Sequence, residues 1–339
     1  MTRLILGVDG GQTSTVALLA TSAGEILGTG QGGPANHIHE PGGMERMQHS
    51  LHDAVFAAFE QAGIAPVAVE SACFGMTGGA EFVPQAAPKF IETRRLSAVH
   101  DVVTALAGAS LASPGIVVIA GTGAIAYGRS IDGLEAKADG WGYLMGDEGS
   151  AYDIGLKVLR AAAQAEDKRG VDTLLRVYMP RFWRKADLAE VRAALYSDQM
   201  TRADIASLSW VAYCAAESHD QVARELLANA GRSLAQSAKS VIDRLSSNGQ
   251  NLAVYPTGGV FRAGQWVLDP FAASLKQSAP DTEIRPSAFP QVVGALLLAQ
   301  QQIDQAIDEP FIERLRQTLP ASLQNKSAAP NCADLSAEG

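Results

Sequence analysis

Hydrophobic and polar positions fall in blocks along this chain, and the period changes from block to block. Leu4–Val8, Ser14–Ala20 and Glu25–Gly30 are short runs of strand-forming residues separated by glycine turns, which predicts an antiparallel meander. Met44, Met47, Leu51, Val55 and Phe59 then recur at helical spacing and predict a helix over Met44–Gly63. A buried strand is predicted over Val67–Phe74, running into Gly75-Met76-Thr77-Gly78-Gly79. Another is predicted over Leu96–His100, stopping at Asp101, with a helix over Val103–Leu111.

The order then repeats. Ile116–Ala120, Ala124–Arg129 and Leu134–Ala138 read as strands split by glycine turns. Helices are predicted over Ser150–Gln164, over 184–196, and over Ser207–Leu245 as two helices broken near Ser218. In the second of these, Val222, Leu226, Ala230, Leu234, Ala238, Val241 and Leu245 share one face. Leu252–Tyr255 reads as a buried strand, Val260–Trp266 as the start of a helix and Glu283–Arg285 as a short strand. Gln291–Gln301 and Phe311–Leu319 read as helices, and from Pro320 onward the Ala, Ser, Asn and Pro content predicts a loose tail. A meander followed by helices, occurring twice, implies an α/β fold of two related lobes.

Composition narrows the chemistry. The chain of 339 residues, 47% hydrophobic and 19% charged, has room for two domains with their own cores. A net charge of -9 argues against a nucleic-acid surface, so a bound polyanion would need backbone N–H groups, helix termini and a divalent cation. Three scattered cysteines, Cys73, Cys214 and Cys332, without a CxxC pair, fit a reducing compartment and offer neither a zinc nor an iron–sulfur site. The first strand starts within three residues, leaving no room for a signal peptide or a DNA-binding helix. No apolar run reaches the length of a membrane span, and "IVVIAGTGAIAYG" is broken by glycines. A cytoplasmic protein with no nucleic-acid or membrane partner is expected.

Candidate chemistry sits at the glycine turns. Gly10-Gly11-Gln12-Thr13 lacks bulk at the tip of the first hairpin and can bring N–H groups against phosphate oxygens; a plain structural turn explains it equally well. Asp9 is placed to hold Mg²⁺ through water. Gly121-Thr122-Gly123 repeats this geometry in the second unit, and two such turns in equivalent places are far less common than one. Gly258 and Gly259, at a strand-to-helix junction, read by themselves as an ordinary turn, although they would also allow a base or ribose to lie on the backbone. Asp101 is either a helix N-cap or the general base of phosphoryl transfer to an alcohol; spacing alone leaves both open. The densest unusual stretch is "DGWGYLMGDEGSAYDIG" over 139–155, whose carboxylates and aromatic suit a sugar. Asn36-His37 follows a glycine-rich strand end, where Asn36 could read a hydroxyl. No chemistry of their own is assigned to His37, His39 or His100. No Gly-Lys pair occurs, so there is no Walker A loop, and no GxGxxG joins an early strand to a helix.

In order, "GVDGGQT", "NH", "GMTGG", "HD", "AGTGAIAYG", "GWGYLMGDEGSAY", "TGGVF" and "VGALLLA" resemble the BadF/BadG/BcrA/BcrD ATPase family, and within it the N-acetylglucosamine and glucosamine kinases, over about residues 4–300. The resemblance implies an actin-like ATPase fold of two ribonuclease-H-like lobes, with an ATP and sugar cleft between them. The N-terminal lobe would be 1–110 with the returning segment 291–319, the C-terminal lobe 111–290, and the tail 320–339. It implies ATP and Mg²⁺, an amino-sugar substrate and a kinase reaction; a homodimer is one compatible assembly. Asp9, Gly10, Gly11, Gln12 and Thr13 would form the first phosphate loop, Gly121, Thr122 and Gly123 the second. Gly258 and Gly259 would lie on adenosine. Asp101 would be the base, and Asn36, His37, Thr77, Gly78, Gly140, Trp141 and Asp147 would line the sugar site with it. Ala124-Ile125 stands where animal N-acetylglucosamine kinases carry a Ser-Asn pair, which leaves the choice of amino sugar open. Other members of the family activate dehydratases with an iron–sulfur cluster held on cysteines, for which no cysteine here has suitable neighbours; a sugar sensor on the same fold would need an N-terminal DNA-binding extension and would not need Asp101.

Overall fold

Strand β1, Leu4–Gly10, is buried on both faces, and it organises the first half of the chain. The computed structural model describes residues 3–35, 38, 40–197, 200–245, 251–304, 306–324, 332 and 335. The chain divides into two units: Met1–Ser113 with Ser287–Lys326, and Pro114–Pro286 with Ser327–Gly339.

In the first unit β1 pairs antiparallel with β2 (Thr15–Thr21), and β2 with β3 (Ile26–Gly32). Helix α1 (Gly43–Gln61) follows, then β4 (Val69–Met76), the short α2 (Val83–Ala86), β5 (Thr93–His100) and α3 (Asp101–Ser110). β4 lies parallel to β1 and β5 parallel to β4, giving the order β3-β2-β1-β4-β5. Alternation along β1 divides two cores, since successive strand side chains face opposite ways. Leu6 and Val8 join Met47, Leu51 and Val55 of α1, whereas Ile5 joins Val293, Leu296 and Leu297 from the chain's late return. The "GTGQG" of β3, unfavourable by strand propensity, has a packing cause. A Cβ at Gly28, Gly30 or Gly32 would lie 2.0 Å from a backbone carbonyl of α1, so only glycine lets that helix approach.

In the second unit β6 (Gly115–Ala120), β7 (Ala124–Arg129) and β8 (Glu135–Asp139) form the repeated meander. Helices α4 (Ala151–Glu166), α5 (Leu175–Phe182), α6 (Leu188–Leu195), α7 (Arg202–Glu217) and α8 (Gln221–Leu245) follow. β9 (Val254–Thr257) lies parallel to β6, completing the order β8-β7-β6-β9, and α9 (Gln265–Ser278) precedes the chain's return to the first unit. There α10 (Gln291–Gln302) packs on β1, and α11 (Glu309–Thr318) closes the same core through Phe311 and Leu315.

Several expectations need correction. α5 has no counterpart in the sequence reading, because Arg176, Pro180 and Arg181 mask its short apolar face. The residues after Gly258 form a 3₁₀ turn over Gly259–Ala263, and the helix begins only at Gln265, because Gly264 breaks the backbone at φ 57°. Pro270 inside α9 hides its continuation to Ser278 from a sequence reading. Glu283–Arg285 contributes a single bridge, Val254 to Ile284, rather than a strand. On α8 the buried stripe takes Ala223 and Leu227, with Val222 and Leu226 at its margin. Cys214 and Cys332 form a disulfide, which removes the footing for a reducing compartment drawn from their scatter. Leu335, in the stretch read as a loose tail, is buried in the second core. Among the described residues no helix is long and apolar enough to cross a membrane.

Candidate functional site

The first cluster lies where three parallel strands end side by side. Register places Asp9 beside Gly75 and Gly10 beside Met76, and Met76 in turn beside His100. The carboxyl ends of β1, β4 and β5 therefore present Asp9, Thr77 and Asp101 together, the end at which α/β sheets bind ligands. Asp101 is the first residue of α3, not its cap; the cap position belongs to His100. Both carboxylate oxygens of Asp101 are engaged, Oδ2 by the Thr77 hydroxyl at 2.6 Å and Oδ1 by His100 Nδ1 at 2.6 Å. The short second contact places the ring proton on Nδ1, so the 3.4 Å approach of Val102 N to the same nitrogen does not cap the helix.

Among the described residues Asp9 has no such complement of donors. Gln291 Nε2, on the first residue of α10, donates to Oδ1 at 2.8 Å. Burial, reinforced by the charge of Asp101, pushes Asp9 up to about 7 despite that hydrogen bond. Two carboxylates that repel one another and offer only oxygen donors fit a hard, hydrated cation such as Mg²⁺. The adjoining turn is closed by Gly11 N donating to Ser14 O at 3.0 Å, and Gln12 and Thr13 at its tip are exposed. Thr77 serves Asp101 in this structure, and no described residue lies within 4 Å of where a Cβ would stand on Gly78, at φ 85°. Asn36 and His37 lie outside the described residues.

The second cluster belongs to the other unit. Its turn is closed by Gly121 N donating to Gly123 O at 2.9 Å, leaving Thr122 exposed. Gly258, at φ 103°, lies against the end of β6; a Cβ there would sit 2.4 Å from Ala120 O, whereas Gly259 is open. The second turn and the Gly258-Gly259 junction are thus neighbours. Beside Gly259 a cavity of about 140 Å³ is lined by Trp210, Tyr213, Val260 and Arg262. Trp210 Nε1 is buried with no hydrogen-bond partner among the described residues, an unmet donor next to a flat aromatic wall.

The 139–149 loop is held by carboxylates. Asp139 Oδ1 accepts from Asp147 N at 2.7 Å and Gly140 N at 2.8 Å, and its Oδ2 from Glu148 N at 3.1 Å. Asp147 is buried; its Oδ1 accepts from Ala124 N at 3.1 Å and its Oδ2 from Arg202 Nη2 at 2.8 Å. Burial raises the Asp147 carboxyl above the usual range, opposed by the Ala124 hydrogen bond and the Arg202 charge. A Cβ at Gly123 would stand 3.0 Å from the Asp147 carboxylate, so a side chain there would have to push that carboxylate aside. Gly140, at φ 75°, passes close to Ile125. Trp141 is 69% exposed. Ser150 caps α4, its hydroxyl accepting from Asp153 N at 3.1 Å.

Sequence reasoning misses Gln291, His100, Asp139 and Arg202. Gln291 carries a signal, as a polar residue opening the apolar "VVGALLLA" after Pro290, and Asp139 has its following glycine. Arg202 reaches Asp147 across 55 residues and has none.

Two units, each opening on a glycine-turn meander with a parallel strand added beside it, define an actin-like ATPase fold of the sugar-kinase type. The chain belongs to the BadF/BadG/BcrA/BcrD ATPase family, whose model matches residues 6–299. It is 30% identical to an N-acetylmuramic acid/N-acetylglucosamine kinase of Clostridium acetobutylicum, over 89% of this chain and 100% of that one. It is 26% identical to an N-acetyl-D-glucosamine kinase of Dictyostelium discoideum, over 87% and 97%. The solved structure of a candidate N-acetylglucosamine kinase from Chromobacterium violaceum superposes with a TM-score of 0.71 at 29% identity, covering 88% of this chain and 99% of that one.

Proposed function

We propose that this protein is an ATP-dependent kinase that transfers the γ-phosphoryl group of ATP to the 6-hydroxyl of an amino sugar. The observation that carries the reading is Asp101, a carboxylate at a parallel-strand end, oriented by Thr77 and His100 and facing the unmet negative charge of Asp9. Asp101 accepts the hydroxyl proton as the sugar oxygen bonds to the γ-phosphorus and the bridging oxygen leaves with ADP. Asp9 would hold Mg²⁺, and the cation, when bound, would offset charge on the phosphates. Backbone N–H groups at Gly10–Thr13 and Gly121–Gly123 hold phosphate oxygens. Gly258 and Gly259 carry the nucleoside, whose base stacks in the Trp210 and Tyr213 cavity. Thr77, Gly78, Gly140, Trp141 and Asp147, with Asn36 and His37, receive the sugar, the indole packing on its C–H face. The resemblance to amino-sugar kinases supports the substrate class.

The test is a panel of N-acetylglucosamine, glucosamine and N-acetylmuramic acid with ATP and Mg²⁺, read as ADP formation. Sugar-dependent ADP release is expected, with a 6-deoxy analogue inert and phosphorus-coupled NMR locating the phosphate on O6. Release of ADP at one rate with or without any sugar would defeat the reading.

A further inference from the structure

Asp147 is reached by a side chain that no local pattern announces. Arg202 is the first residue of α7, and a capping box fixes that entry: Thr201 Oγ1 accepts from Asp204 N, while the Asp204 carboxylate accepts from Thr201 N at 2.7 Å. From there Nη2 donates to Asp147 Oδ2, and the guanidinium carbon lies 4.9 Å from the centre of the Tyr143 ring and 5.6 Å from that of Tyr152. The two tyrosines meet edge to face, so the guanidinium is held by aromatic contact as well as by charge. Its Nε is buried with no hydrogen-bond partner among the described residues. A guanidinium that stacks and donates at once is a role a lysine ammonium does not reproduce.

The other end of this contact is a backbone that needs holding. Asp147 sits at φ 63°, a left-handed conformation that a non-glycine residue keeps only where its surroundings impose it. One carboxylate joins three elements: Ala124 at the exit of the second glycine turn, the 139–149 loop and α7. The same loop exposes Trp141, Leu144 and Met145 to solvent. The fixed points of the loop are Asp139 beneath it and Arg202 beside it.

Building on the amino-sugar kinase reading, we propose that Arg202 is a positioning residue for the acceptor sugar: acting through Asp147, it holds the 139–149 loop and thereby sets affinity for sugar rather than for nucleotide. A merely structural ion pair is the poorer description, since a third of the Arg202 side chain is exposed and α7 has its own cap and core.

The experiment measures KM for sugar and KM for ATP separately in wild type, Arg202→Ala, Arg202→Lys, Asp147→Asn and the Arg202→Ala/Asp147→Asn double variant. Arg202→Ala is expected to raise the sugar KM about tenfold or more, the range for truncating one partner of a half-buried charge pair, with the ATP KM within about twofold of wild type. Arg202→Lys recovers only part of that loss. In the Asp147→Asn background the Arg202→Ala change adds nothing, because residues acting as one unit are not additive. An unshifted sugar KM in Arg202→Ala, fully additive effects in the double variant, or both KM values shifting alongside a lowered Tm would each overturn the inference. Should Arg202→Ala not fold, Arg202→Lys carries the same comparison. Wild-type turnover is read first: failure to phosphorylate any amino sugar overturns the kinase reading, whereas turnover with an unmoved Arg202→Ala sugar KM overturns this inference alone.

Discussion

Two pairs of aspartates organise the two units, and they are treated in opposite ways. In the second unit Asp139 and Asp147 spend their oxygens on backbone N–H groups and on a guanidinium, five hydrogen bonds in all. In the first unit Asp9 and Asp101 press their charges on one another; Asp101 is held by Thr77 and His100, whereas among the described residues Asp9 receives a single side-chain amide. Buried charge is tolerated when it is paired and costly when it is not. The paired arrangement builds a loop; the other stores a demand for a cation and a proton, which is what a phosphoryl-transfer site needs before its nucleotide arrives. In such a fold, fully satisfied carboxylates hold structure in place, and the under-satisfied Asp9, beside an Asp101 fixed by Thr77 and His100, marks the reaction.

That contrast breaks most visibly at Asp101. Asp101→Asn keeps the size but offers one accepting oxygen where the carboxylate offers two; it cannot take a proton, and it removes the charge facing Asp9. Turnover is expected to fall by roughly 10²–10⁴-fold, the range for a positioned general base, with ATP binding retained. Steady-state kinetics beside calorimetric titration of a non-hydrolysable ATP analogue check both halves. A variant that turns over at the wild-type rate would remove Asp101 from the chemistry and reduce the first cluster to another scaffold.

Asp9 gives the same contrast a thermodynamic form. Its carboxyl is pushed up to about 7, so the folded protein binds this proton more tightly than the unfolded chain does. Stability tied to the group is fully present below the ordinary carboxylate range and is lost as pH rises toward 7, after which it stays lost. A shift of this size corresponds to roughly 4 kcal/mol. Without nucleotide or metal, Asp9→Asn is therefore expected to melt near wild type at pH 4 and several degrees higher at pH 8, while losing Mg²⁺-dependent turnover. Calorimetric melts across that range check the sign. A variant less stable than wild type at pH 8 would mean that Asp9 is held as firmly as Asp139.

Much of this organisation is legible in the amino-acid sequence alone. The meander, the repeat and the glycine turns can be read because strand alternation and turn chemistry are local, and Asp9, Asp101 and the two glycine turns sit at element ends that sequence locates well. The packing reason for Gly28, Gly30 and Gly32 is not legible, because it depends on α1 lying within reach of their Cα atoms. His100 reads as inert since its role is a contact to its own neighbour in a conformation that only the strand-to-helix turn creates. Gln291 and Arg202 act across long stretches of chain, and no spacing rule links them to Asp9 and Asp147. The pairing of Cys214 with Cys332 spans 118 residues and is equally invisible.

The smallest effect sharpens the comparison from the satisfied side. Asp139 is also in the left-handed region, at φ 63°, and Asn is the replacement that tolerates this conformation best. Asp139→Asn therefore leaves the backbone unstrained and tests the hydrogen bonds alone. The carboxylate takes three N–H donors from Gly140, Asp147 and Glu148, while an amide has one accepting oxygen and an NH₂ that cannot accept. At least one donor is left unmet, and Glu148 N, on the oxygen that becomes the amide nitrogen, is the weakest of the three contacts. A loss of about 1–2 kcal/mol is expected, within the range for an unmet polar group beside solvent, with little dependence on pH between 6 and 9. Denaturant melts at two pH values measure it. The sign is opposite to that of Asp9→Asn at pH 8, though the chemical change is identical. If both substitutions stabilised the protein, partnership would not be what separates the two pairs of aspartates.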